Sequence, residues 1–193
     1  MTAFRAVLFV KLPVILPAML HTMLTALLFI LLLTLSASPA FANTVQYSHS
    51  VYFVRHFEKV TPADKQANRD PSLTTVGERR ALNLAGLLAQ QPLKAIYSTQ
   101  YKRTMQTALP TALAHNLIVT HYDPRNLEPF ATTLATLGHD ALVVGHSNTT
   151  PYLVNVLTGQ NISLSESDYG DVFVIRFSQM GKVIAFKTGR VNR

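Results

Sequence analysis

The stretch Ser50-Val51-Tyr52-Phe53-Val54-Arg55-His56 decides the fold predicted for this chain. Its first five residues are mostly β-branched or aromatic, which is typical of a buried strand, and an arginine and a histidine follow the strand. Residues 141–146, Ala-Leu-Val-Val-Gly-His, repeat the pattern of a buried strand followed by a histidine. Because ligands bind at the carboxyl ends of parallel strands, we expect both histidines to lie at one edge of a sheet.

Short apolar runs alternate with longer helical patterns along the rest of the chain. Besides the two strands above, the sequence predicts strands at residues 95–97, 117–119, 172–177 and 183–187. It predicts a helix that opens at the Thr75 cap and is ended by Pro92, and further helices from Ser98 through Leu109, from Phe130 to Leu137 and from Pro151 to Leu157. This alternation predicts a three-layer α/β/α sandwich with a mostly parallel central sheet.

Two of the predicted helices begin with capping residues. Thr75-Val76-Gly77-Glu78 has the form of a capping box, with a threonine at the cap and a glutamate three residues later. Ser98 is expected to cap the next helix, and Pro110 is expected to kink or shift that helix.

Residues 1–42 have the three parts of a secretory signal peptide. Arg5 and Lys11 give a basic start, residues 12–35 are mostly apolar, and Ala40-Phe41-Ala42 offers small residues for cleavage. We therefore predict a mature domain at residues 43–193. The apolar run is also long enough to cross a bilayer, so the alternative is an uncleaved membrane anchor. In either case we expect the domain to lie outside the cytoplasm, in the periplasm or secreted.

The chain of 193 residues carries 17 Lys and Arg against 10 Asp and Glu, a formal net charge of +7. Such an excess suits anionic small molecules or an anionic membrane surface. Basic residues do not form a run interleaved with aromatics, so no nucleic-acid partner is expected. The sequence has no cysteine, which excludes thiolate catalysis, disulfides and cysteine-ligated metals.

Two histidines and two arginines are expected at one edge of the predicted sheet. Arg55 and His56 follow one strand, His146 follows another, and Arg103 comes a few residues after a third. Guanidinium groups match phosphate oxygens in pairs, so phosphate is the expected ligand. Neighbouring positive charge also lowers the pKa of a histidine, and the resulting neutral imidazole can act as a nucleophile.

Hydrolysis of a phosphate ester also needs a proton for the leaving alcohol. Glu128, in Asn126-Leu127-Glu128-Pro129, is the first candidate for this acid, and Glu58, Asp64 and Asp123 are its rivals. A metal site and a cofactor are not expected, because the histidines show no spacing typical of zinc ligands.

Four segments, in order, resemble the histidine phosphatase superfamily, branch 1, whose members are phosphoglycerate-mutase-like. They are Val54-Arg55-His56-Phe57-Glu58-Lys59, Leu73-Thr74-Thr75-Val76-Gly77-Glu78-Arg79-Arg80-Ala81, Ser98 with Tyr101-Lys102-Arg103-Thr104-Met105-Gln106-Thr107-Ala108, and Val143-Val144-Gly145-His146-Ser147-Asn148. The resemblance spans about residues 50–157. It implies a phosphoglycerate-mutase-like fold.

The resemblance also implies roles for particular residues. His56 corresponds to the phosphorylated nucleophile, while Arg55, Arg103 and His146 complete the phosphate pocket. Glu128 occupies the usual place of the general acid. Phe57 departs from the pattern, because a small residue usually follows the nucleophile, and it is expected to narrow or cover the site. A second departure is Arg79 or Arg80, which stands where glutamine is common.

The expected function is that of an exported phosphoric monoester hydrolase of the histidine acid phosphatase type, with a phosphohistidine intermediate on His56. The expected substrate is a small-molecule phosphate or an envelope glycan phosphate, such as a lipopolysaccharide core heptose phosphate. The membrane would be a partner only through an uncleaved signal segment. Two alternatives stay open: a phosphohistidine protein phosphatase, and an inactive phosphate-binding module of the envelope.

Overall fold

The computed structural model describes residues 46–61 and 69–192. The predicted signal segment at residues 1–42 and the acid candidate Asp64 lie outside these ranges. Within them, no helix has both the length and the apolar character that a membrane span requires.

The described residues form six strands and four helices. The strands are β1 (Tyr47–Arg55), β2 (Leu93–Ser98), β3 (Val119–His121), β4 (Asp140–Gly145), β5 (Asp171–Ser178) and β6 (Val183–Arg190). The helices are α1 (Thr75–Leu88), α2 (Lys102–Ala114), α3 (Leu127–Ala135) and α4 (Thr149–Thr158). One sheet contains all six strands in the order β3-β2-β4-β1-β5-β6. Strands β1 to β4 are parallel to one another, β5 is antiparallel to β1, and β6 is antiparallel to β5.

Both faces of the sheet are covered, which β1 shows most clearly. Tyr52 and Val54 belong to the apolar cluster that includes buried residues of α1 and α2. Val51 and Phe53 belong to the cluster that includes buried residues of α3 and α4. Because successive strand residues point to opposite faces, a continuous apolar run is what a doubly covered strand requires. The predicted three-layer sandwich with a mostly parallel sheet is confirmed.

Pairing between β1 and β4 brings the two predicted histidines to the same edge of the sheet. The strands are parallel with Arg55 opposite Gly145. The His56 N–H extends the pairing by donating to the Gly145 carbonyl at 2.9 Å. His56 and His146 are therefore the first residues after two neighbouring strands.

The first helix begins differently from its prediction. Thr74, not Thr75, is the N-cap, and its side chain accepts a hydrogen bond from the Gly77 N–H at 3.1 Å. The Thr74 N–H donates to the Glu58 carbonyl at 2.8 Å. This contact with a distant segment places the cap one residue before the predicted position.

The start of α2 also differs, because Ser98 does not cap it. Its first N–H, on Lys102, donates to the carboxylate of Asp70 at 2.9 Å, so the cap comes from a remote part of the chain. Pro110 lies inside α2 without ending it. Strand β3 begins two residues after its predicted start, at Val119, and helix α3 begins three residues before its predicted start, at Leu127.

Replacement of Gly77 by alanine should destabilise the protein, because a Cβ there would collide with the Glu58 carbonyl oxygen. We expect a loss of about 1–3 kcal/mol in the free energy of unfolding, measured by urea denaturation. Gly86→Ala is the matched control in the same helix, where a Cβ would meet no atom within 4 Å. It should stabilise the protein by about 0.5–1 kcal/mol. Equal effects of the two substitutions would contradict this account of Gly77.

Candidate active site

A cavity of about 520 Å³ lies next to the carboxyl ends of β1 and β4. Its lining includes His56, Lys59, Arg103, His146, Ser147 and Glu166. Three of the residues predicted from the sequence, His56, Arg103 and His146, are thus brought together. Arg55 ends β1 beside them, and its side chain is only 3 % exposed.

His56 is held in the tautomer that a nucleophile requires. Its Nδ1 lies 2.8 Å from the carbonyl oxygen of Phe57, which can only accept, so Nδ1 carries the hydrogen. The lone pair is therefore on Nε2. Burial, together with the charges of Arg55 and Arg103 and the neighbouring His146, lowers the pKa of His56 to about 3, against an opposing effect of the Phe57 hydrogen bond.

His146 is held in the other tautomer. Its Nδ1 lies 3.4 Å from an Nη atom of Arg103, which can only donate. Its Nε2 then carries the hydrogen and donates to the Thr99 hydroxyl at 2.9 Å. Burial, with the charges of Arg103 and Arg55, lowers the pKa of His146 to about 4, and Glu166 opposes this shift. The two imidazoles, whose ring centroids are 5.5 Å apart, are thus both neutral at pH 7.

Both arginines retain donors for a ligand. The Nε atoms of Arg55 and Arg103 are buried and have no hydrogen-bond partner among the described residues. Unpaired buried donors are costly, and charged ones more so. An oxyanion bound in the cavity would offset this cost, since guanidinium pairs well with phosphate oxygens.

The segment that leads into β5 wraps around the Arg55 guanidinium. One Nη atom donates to the carbonyls of Ser165 at 2.6 Å and Asp168 at 2.9 Å. The guanidinium carbon also lies 4.4 Å from the centre of the Tyr169 ring. The second Nη donates to the Glu166 carboxylate at 3.3 Å.

Glu166 was missed in the sequence, although it lines the cavity with His56. Its other carboxylate oxygen accepts a hydrogen bond from the Ser147 hydroxyl at 2.7 Å. No local pattern distinguishes it within Ser165-Glu166-Ser167-Asp168. The only signal in the sequence is a short acidic run just before a predicted strand.

The structure does not bring Glu128 into this cavity. Glu128 lines a neighbouring cavity that shares Pro124 and Arg125 with the first. Its carboxylate accepts a hydrogen bond from Tyr152 at 3.1 Å. Its position in the sequence suggested that Glu128 would line the cavity of His56. In the structure it lies in the first turn of α3 and lines the neighbouring cavity instead.

The rival carboxylates are engaged elsewhere. Glu58 forms a two-point ion pair with the buried Arg80 at 2.6 and 3.0 Å. Asp123 pairs with the exposed Arg125 at 3.0 Å. No group of three or more histidine and acidic side chains in the described ranges could hold a metal ion.

Phe57 does not cover the site as the sequence suggested. Its side chain is fully buried in the apolar cluster under α1 and α2. The Arg80 guanidinium lies 5.8 Å from the centre of its ring. Phe57 and Arg80 therefore belong to the interior, whereas Arg79, the other arginine at the second departure from the family pattern, is exposed.

Histidine NMR should detect the low pKa values directly. Between pH 7 and pH 5, we expect the ring shifts of His56 and His146 to remain those of neutral imidazole. Arg103→Met removes a charge that lowers both pKa values, so both midpoints should rise. Arg79→Met, on the exposed face of α1, is the matched control and should leave them unchanged. A midpoint near 6.5 for His56 in the unsubstituted protein would contradict the burial argument.

Comparison with known proteins gives a family and a fold. Residues 51–128 match the model of the histidine phosphatase superfamily, branch 1. No curated protein sequence matches the chain.

Three solved structures illustrate the similarity in fold. The protein histidine phosphatase SixA complexed with tungstate is 17% identical, with a TM-score of 0.62, over 73% of this chain and 96% of that one. The mycobacterial glucosyl-3-phosphoglycerate phosphatase is 12% identical, with a TM-score of 0.57, over 74% and 98%. YhfR from Bacillus stearothermophilus is 17% identical, with a TM-score of 0.51, over 70% and 94%.

At these identities the solved structures establish the fold alone, and the family match at residues 51–128 supports phosphatase activity. The predicted resemblance is confirmed: residues 51–128 of this chain match the histidine phosphatase superfamily, branch 1, and the fold is similar to that of solved phosphatases.

Proposed function

We propose that this protein is an exported phosphatase that hydrolyses phosphomonoesters through a phosphohistidine intermediate on His56. The observation that carries the proposal is the state of His56, a neutral imidazole with its lone pair on Nε2. It lies in a cavity that is lined by Arg103 and bordered by Arg55. A neutral imidazole beside two guanidinium groups is suited to attack phosphorus, because its lone pair is free and the positive charge stabilises the phosphoryl oxygens.

In the proposed reaction, His56 Nε2 attacks the phosphorus and the bond to the leaving oxygen breaks. Arg55 and Arg103 stabilise the charge on the phosphoryl oxygens, and each charge-assisted hydrogen bond contributes about 1.5–3 kcal/mol. The fixed orientation of both arginines matters because preorganised donors need no rearrangement in the transition state. Water then attacks the phosphohistidine, and inorganic phosphate leaves. These steps need no cofactor.

The expected substrates are phosphate esters outside the cytoplasm, either small molecules or envelope glycans. Lys59 and Arg125 also line the cavity and add positive charge around the phosphate position. This charge supports an anionic substrate but does not select one ester. The proposal for export depends on residues 1–42, whose basic, apolar and small-residue parts have the order of a signal peptide.

A phosphohistidine protein phosphatase is the second candidate. The chain covers 96% of the protein histidine phosphatase SixA, so it aligns with nearly all of that protein. A phosphoramidate bond would be attacked by the same nucleophile. Phosphohistidine peptide and alkyl phosphate, supplied in parallel, would separate the two by their relative kcat/KM.

The first test is hydrolysis of p-nitrophenyl phosphate by the unsubstituted protein and by His56→Ala. We expect His56→Ala to lose activity by about 10³-fold or more, because it lacks the nucleophile. Rapid quench should trap acid-labile, base-stable phosphate on the unsubstituted protein only. His139→Ala is the matched control, since His139 precedes β4 at the opposite end of the strand from His146.

Two results would reject this mechanism. Turnover that persists in His56→Ala would exclude His56 as the nucleophile. Phosphate binding without turnover in the unsubstituted protein would favour the inactive phosphate-binding module.

Mass spectrometry of the protein from a cell that exports it tests the predicted signal peptide. We expect the mature chain to begin at Asn43, because a peptidase would cut after the small residues that end at Ala42. A chain that starts near Met1 and sediments with membranes would instead indicate an anchor. A chain that starts near Met1 in the soluble cytoplasmic fraction would contradict export.

A further inference from the structure

The Glu166 carboxylate lies in the same cavity as His56. It contacts two elements of the site, with one oxygen 2.7 Å from the Ser147 hydroxyl and the other 3.3 Å from an Nη atom of Arg55. It also lines the cavity that contains His56. Its side chain is 74 % exposed, so an incoming ester and water can both reach it.

A purely structural role does not account for this carboxylate. Arg55 is already fixed by the backbone carbonyls of Ser165 and Asp168 at 2.6 and 2.9 Å, and it stacks on the Tyr169 ring. An ion pair with so exposed a partner adds little stability, because water screens the attraction. The position of Glu166 inside the cavity therefore calls for a chemical role.

We propose that Glu166 is the general acid of the reaction, which protonates the leaving oxygen when His56 attacks phosphorus and then activates the water. This inference rests on the proposed function. It assigns to Glu166 the role that the sequence had suggested for Glu128. Among the described carboxylates, Glu166 is the one that lines the cavity with His56.

The atoms balance in both steps. In the first, Nε2 forms a bond to phosphorus, the ester P–O bond breaks, and the carboxyl proton of Glu166 passes to the departing alkoxide. In the second, the Glu166 carboxylate takes a proton from water while the water oxygen bonds to phosphorus and the N–P bond breaks. Inorganic phosphate leaves, and both His56 and Glu166 return to their starting states.

Substrate binding supplies the protonated form of Glu166. In the empty cavity the Ser147 hydrogen bond lowers the pKa of Glu166, and Arg55, Lys59 and Arg103 lower it further against the effect of burial. A bound phosphate ester competes for the same arginines and adds negative charge beside the carboxylate, which raises that pKa. The monoanion of an ester, whose second pKa is about 6, also carries a proton that it can pass to Glu166.

The test uses the dependence of rate on the leaving group. Glu166→Gln keeps an acceptor for Ser147 but cannot donate a carboxyl proton. With an alkyl phosphate, whose alkoxide must be protonated, we expect kcat to fall by about 10²-fold or more. With p-nitrophenyl phosphate, whose leaving group is stable as an anion, phosphoenzyme formation should fall less than about tenfold. Because water activation is also impaired, phosphohistidine should accumulate with this substrate.

The control is Glu78→Gln, the same substitution at an exposed position in the first turn of α1. It should leave both rates unchanged. Equal losses by Glu166→Gln with both substrates would overturn the inference, because they are what a residue that only positions Arg55 would produce. Unchanged rates would overturn it too, as would a loss specific to alkyl phosphates in Glu128→Gln alone.

The pH profile gives a second readout, which a structural role would not change. Ser147→Ala removes a hydrogen bond that favours the carboxylate, so the pKa of Glu166 should rise. The descending, alkaline limb of kcat for the alkyl phosphate should then move to higher pH, and an unmoved limb would contradict the assignment. If phosphohistidine forms on His56 while these tests fail, only the role of Glu166 is rejected. If no phosphohistidine forms, the proposed function itself fails.

Discussion

The parallel pairing of β1 with β4 is the constraint on which the site depends. It sets Arg55 opposite Gly145, and one further hydrogen bond from the His56 N–H to the Gly145 carbonyl makes the two histidines neighbours. A slip by one residue would exchange the two faces of β1. Since each face is packed against a different pair of helices, such a slip would misplace the whole apolar run. The core thereby fixes the distance between the imidazole rings of His56 and His146.

Burial and positive charge in the cavity both lower the pKa values of its two histidines. Both disfavour a charged imidazole, so His56 and His146 stay neutral beside two guanidinium groups. Burial would also destabilise the two arginines if their N–H groups had no hydrogen-bond acceptors. The carbonyls of Ser165 and Asp168 accept hydrogen bonds from one Nη atom of Arg55, and its Nε–H remains available to an anion. These unpaired donors suit the phosphoryl group of the proposed reaction.

The sequence predicted those parts of the site that follow directly from strands or helices. His56, His146 and Arg103 could be placed because a strand end or a helix start leaves each little freedom. The cap of α1 and the position of Glu128 could not, since both depend on contacts between segments distant in the chain, such as Thr74 with Glu58. Glu166 was missed for the same reason. Its place is set by the way residues 165–169 close over Arg55, and no short pattern records that closure.

The segment that encloses Arg55, residues 165–169, lies much later in the chain than His56, the proposed nucleophile. A polypeptide emerging from a ribosome or a translocation channel therefore carries His56 long before it carries the residues that fix the arginine beside it. Until residue 169 has emerged and β5 has paired with β1, such a chain has its reactive ring but lacks the enclosure around it. The enclosure that the proposed reaction requires is therefore absent from a nascent chain until β5 has been made and has paired with β1.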